Sequence, residues 1–138
     1  MKKYLLLIFM LAVAFGQYRR LNIDAISPYY DGDADSTLQV INSGSGFLYA
    51  VFVELTSADT LFLRFYDTAE DTIAVGTVES GSVLNFEIAG TTTTSAVVPF
   101  YFGPFGLPFQ AGIKYAVMKS DSTDPTTGIR INAVYLGD

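Results

Sequence analysis

From residue 38 to the C-terminus, apolar and polar side chains alternate in short runs cut by turn residues. That period-2 spacing predicts β-strands with one face buried. LQVIN (38–42) precedes the flexible turn SGSG. In FLYAVFVEL (47–55) alternation puts Phe47, Tyr49, Val51, Val53 and Leu55 on one face, with Leu48 and Phe52 on the other. Apolar residues on both faces predict a central strand covered twice. TSAD (56–59) then reads as a hairpin turn into TLFLRFY (60–66), where Leu61, Leu63 and Phe65 oppose Phe62, Arg64 and Tyr66.

A short IAV strand (73–75) and VLNFEI (83–88) follow, the latter with Leu84, Phe86 and Ile88 inward. AVVPFYFGPFGLPF (96–109) carries Pro99, Pro104 and Pro108, which cannot donate ladder hydrogen bonds. It therefore reads as an edge strand that leaves its sheet, with Phe100, Phe102, Phe105 and Phe109 capping one end of the core. GIKYAVMK (112–119), a polar hairpin loop (120–128) and IRINAVYL (129–136) complete the set. The expected fold is an all-β antiparallel β-sandwich of seven to eight strands, jelly-roll-like or immunoglobulin-like.

The N-terminus differs in texture. Lys2 and Lys3 precede an apolar run from Leu5 to Phe15, with Ala14 and Gly16 before Gln17. This layout predicts a secretory signal peptide over 1–16, because the apolar run is shorter than the ~20 residues that cross a bilayer. Residues 17–37 form an expected N-terminal arm or irregular lead-in with room for one short strand, a candidate strand donor to a neighbour's free edge, and 38–138 the sandwich domain. Membrane contact is expected only transiently, through the signal. The protein is thus expected at an extracellular surface, secreted, or in a virion.

Composition narrows the chemistry. The chain has 138 residues, enough for one domain, with a net charge of −6 and no cysteine or histidine. Removing 1–16 leaves six bases against the same 14 acids, a net charge of −8. Such a surface repels phosphate backbones, so nucleic acid is not an expected partner. Without cysteine there are no disulfides, and without histidine a Ser or Thr nucleophile lacks its usual base. A Ser-Lys pair through Lys114 or Lys119 is the remaining nucleophilic arrangement. An enzyme is not expected.

Asp31, Asp33 and Asp35 place three carboxylates at alternate positions, a calcium candidate. The EF-hand spacing fails, with Ser36 at its sixth position and Asn42 at its twelfth. A solvated acidic turn is the plainer reading; bound calcium instead predicts a melting temperature that rises on adding the ion and falls with chelator. Asp121 and Asp124 lie in one loop and could hold an ion, but read more simply as turn formers. Tyr29, Tyr30, Tyr66 and Tyr101 could stack on sugars, although core packing or an oligomer interface is the better account of them.

Two blocks carry a resemblance. In 47–69 a Leu-Tyr strand turns into one ending in Phe-Tyr-Asp; in 104–136 a Gly-Ile-x-Tyr-Ala strand meets a Ser/Thr/Asp loop and a final Asn-x-x-Tyr strand. The pairing resembles small β-sandwich structural proteins of tailed bacteriophages, which decorate capsids or form fibres. The resemblance implies a structural role and a homo-oligomer or a capsid or surface lattice, and it carries over no catalytic residues. The apolar leader departs from that pattern and points to reuse on a cell surface or in a membrane-bearing virus. The competing expectation is an exported monomeric binding domain for carbohydrate or a cell surface.

Overall fold

The computed structural model describes residues 26–70, 82–91, 95–119, 123–125 and 128–137. The expected signal peptide and the IAV strand lie outside the described residues. Within them the chain is all-β, with nine strands and no helix. These are β1 (Ile26–Asp31), β2 (Gln39–Asn42), β3 (Gly46–Leu55), β4 (Leu61–Asp67), β5 (Ser82–Ile88), β6 (Ala96–Tyr101), β7 (Leu107–Phe109), β8 (Ile113–Lys119) and β9 (Ile129–Gly137).

They form two antiparallel sheets. One runs β1-β9-β3-β6, with β7 also on β3; the other runs β2-β8-β4-β5. The pairs nest as β1–β9, β2–β8, β3–β6/β7 and β4–β5. A chain folded back on itself in this way and rolled into two layers is a jelly roll, which decides between the two expected architectures.

Nesting corrects several local expectations. TSAD does not close a hairpin, because β3 and β4 lie in different sheets. The loop between β8 and β9 likewise joins the two sheets. The one short strand allowed for in the arm is Ile26–Asp31, and it belongs to the chain's own sandwich, paired with β9 from Ile26–Leu136 to Asp31–Ile131. The stretch 96–109 does not leave its sheet at the prolines. β6 pairs with Ala50–Leu55 of β3 and β7 with Gly46–Leu48, so the crossing comes only after Phe109.

The handover from β6 to β7 coincides with a β-bulge in β3. Tyr49 is the extra residue, since Leu48 faces Tyr135 and Ala50 faces Val134. One added residue reverses the parity of what precedes it. Leu48 therefore joins Val51, Val53 and Leu55 in the core, while Phe47 turns outward, contrary to simple alternation. The Tyr49 carbonyl accepts a hydrogen bond from the Phe102 N–H at 2.9 Å. A turn then links β6 to β7, with the Gly106 N–H donating to the Gly103 carbonyl. Both glycines have positive φ, 81° and 67°, a region that side-chain-bearing residues rarely enter. This turn puts Phe105 at its tip, 75% exposed, so it does not cap the core as expected.

Between the sheets, Leu48, Val51, Val53, Leu55, Leu61, Leu63, Phe65, Ile113, Tyr115 and Val117 are fully buried. Phe65 sits at the centre of an aromatic group, its ring centroid 6.4 Å from Phe86 and Phe102 and 6.2 Å from Tyr115. The outer face of the four-stranded sheet is also covered: Arg64, Tyr66, Lys114, Ala116 and Met118 are buried there. β4 is thus buried on both faces, where alternation predicted one.

Asp67, at the end of β4, anchors the crossing from β7 to β8. Its carboxylate accepts the backbone N–H groups of Gln110, Ala111 and Gly112, at 2.9, 2.7 and 3.3 Å. Burial pushes its pKa up, but the three backbone donors outweigh that and hold it below the ordinary carboxylate range. A depressed carboxylate stabilises the fold above its unfolded pKa, near 4, and loses that contribution as pH falls through the folded value. Asp67→Ala should lower the melting temperature at neutral pH, and its gap from wild type should close in acid. A gap of constant size down to pH ~2, well below the ordinary aspartate range, would remove this assignment.

Candidate functional site: the outer face of the five-stranded sheet

The acidic run does not gather into one site. It bridges β1 and β2, and each carboxylate that bonds turns to a different donor. Asp31 accepts the Tyr115 hydroxyl at 2.5 Å through Oδ2 and the Asp33 N–H at 3.0 Å through Oδ1. Asp35 accepts the Thr37 N–H at 2.8 Å and its hydroxyl. These short i to i+2 bonds are the turn-forming use of Asp, and they point the side chains apart. Between them Ala34 is buried, its N–H donating to the Ile129 carbonyl, which pins the loop to the sandwich. Among the described residues no group of three His, Cys, Asp or Glu could hold a metal ion.

Other candidates are similarly dispersed. Asp124 binds both the Ser36 N–H and the Ser36 hydroxyl, tying the 120s loop to the acidic run. Those bonds hold its pKa low. Asp121 lies outside the described residues. The buried Lys114 ammonium donates to the Glu70 carbonyl. Of the four tyrosines, Tyr66 is buried and Tyr29 points inward, its ring edge-on to Tyr115 at 6.0 Å. Only Tyr30 and Tyr101 stand exposed, at 63% and 71%.

Those two share a surface. The outward positions of the five-stranded sheet align in rows across the strands, because directly paired residues project to the same face. Ile26, Leu136, Phe47 and Pro108 make one row. Pro28, Val134, Ala50 and Tyr101 make the next. Tyr30, Asn132, Phe52 and Pro99 make the third. Arg130, Glu54 and Val97 close the face. Tyr101 leans over Phe52 edge-on at 5.7 Å, and Val97 is 61% exposed. The only charges in these rows, Arg130 and Glu54, pair with each other at 3.2 Å.

Sequence reasoning missed this face as a unit, although one signal was present. In AVVPFY (96–101) Val97, Pro99 and Tyr101 alternate with Val98 and Phe100, so a proline-marked edge strand is apolar on both faces. An edge strand of a two-layer sandwich needs only one apolar face. Large continuous apolar surface on a folded protein marks a place where something else binds. No protein-family model matches this chain, and no curated protein matches it.

Proposed function

We propose that this protein is a non-catalytic structural module, exported and self-associating, that builds or decorates a surface lattice or a virion. The observation that carries the reading is the apolar outer face of the five-stranded sheet, a surface suited to contact and lacking an obvious reactive group. The jelly roll adds an analogy of fold alone, since viral capsid and lectin domains use it and folds host many functions. Light scattering on the purified protein over a range of concentrations tests the reading. The expected result is a mass above that of one chain. A strict monomer at high concentration, together with binding to a polysaccharide through Tyr30 or Tyr101, would instead favour a carbohydrate-binding domain.

A further inference from the structure

We infer that copies of this chain associate face to face, through the outer surface of the five-stranded sheet, and that strand addition at that sheet's edges plays no part. The inference rests on the self-association proposed above and assigns its surface.

Three observations identify a second copy as the occupant. The first concerns the edges. The flanking strand β1 carries Pro28, while β6 and β7 on the other side carry Pro99 and Pro108. A proline supplies no N–H, so each edge resists extension of the ladder by another strand. Association through this sheet must therefore use its face.

The second is charge. The chain carries 14 acids against 8 bases, so two copies repel each other through their net charge of −6. On this face Arg130 and Glu54 neutralise each other within one chain, and two copies can meet there without like charges opposed.

The third is size. Four strands at ~4.8 Å spacing and four rows at ~6.8 Å spacing project to about 500 Å². Two such faces together cover about 1,000 Å², the total that a specific interface needs to clear. Two such faces stacked ~10 Å apart give a four-layer assembly with the apolar faces inside.

The test combines Tyr101→Glu with Val97→Glu, two outward, exposed positions whose substitution sets like charges against each other across the contact. Wild type should scatter as a dimer or larger. The double variant should associate at least about tenfold more weakly per substitution, with an unchanged β-type circular dichroism spectrum. Val83→Glu, exposed on the other sheet, should keep the wild-type mass. Tyr30→Glu, on the opposite edge of the same face, gives an independent reading if the double variant misfolds. Glu variants that retain the wild-type mass would overturn the face assignment while leaving self-association standing. A monomeric wild type would overturn both.

Discussion

Replacing Phe65 with alanine should cost about 3–5 kcal/mol, the largest loss expected from any single side chain here. The reason is position. Phe65 lies midway along β4, fully buried, and touches aromatic rings from β5, from the residue after β6, and from β8. Beside it Phe86 and Phe100 lie with ring centroids 4.4 Å apart, joining the two sheets on the same side of the core. Truncation leaves a cavity bordered by rings held in separate strands, which cannot all close on it. Since domains are stable by only about 5–15 kcal/mol, the variant should unfold at a much lower urea concentration, with Phe65→Leu in between. A Phe65→Ala midpoint close to wild type would mean that the aromatic group is not what holds the layers together.

The second large effect is expected at Tyr115. Its hydroxyl, buried between the sheets, donates to the Asp31 carboxylate and lies 3.4 Å from the Tyr29 hydroxyl. This chain of three polar groups links β8 of one sheet to β1 of the other, across an otherwise apolar interior. Tyr115→Phe should cost about 2 kcal/mol, because a bond to a charged acceptor is lost and Asp31 keeps one donor fewer. Burial, and then the bond to Asp31, push the Tyr115 pKa far above its ordinary value. A group whose folded pKa is raised contributes fully below the unfolded pKa, here about 10, and loses that contribution as pH rises beyond it. The melting-temperature gap between wild type and Tyr115→Phe should therefore be wide at neutral pH and narrower at about pH 11. Burial raises Tyr29 and Tyr66 as well, so both proteins should still weaken in alkali. A gap that does not narrow would show that the hydroxyl ionises as freely in the fold as outside it.

These effects also explain the fate of the acidic run. Three alternate aspartates look like ligands when only spacing is visible. Once the chain folds, Asp31 reaches a tyrosine more than eighty residues away and Asp35 closes on its neighbour Thr37. Neither arrangement leaves three carboxylates converging on one point.

Alternation by itself located β2, β3, β4, β5, β8 and β9 to within a residue or two; it set Leu61, Leu63 and Phe65 on one face of β4 and turned Leu84, Phe86 and Ile88 toward the core. Those features are local, since a strand's two faces follow from its own φ and ψ. Pairing is not local. TSAD reads as a hairpin because strands adjacent in sequence usually pair, yet nesting sends β3 and β4 to opposite layers. The inward turn of Leu48 depends on a bulge that no residue at 48–50 announces, and the pairing of β1 with β9, about a hundred residues on, is invisible in either segment alone. The outer apolar face belongs to the same class. It is assembled from five strands scattered over the chain, and only their tertiary alignment makes separate valines, prolines and tyrosines into one surface.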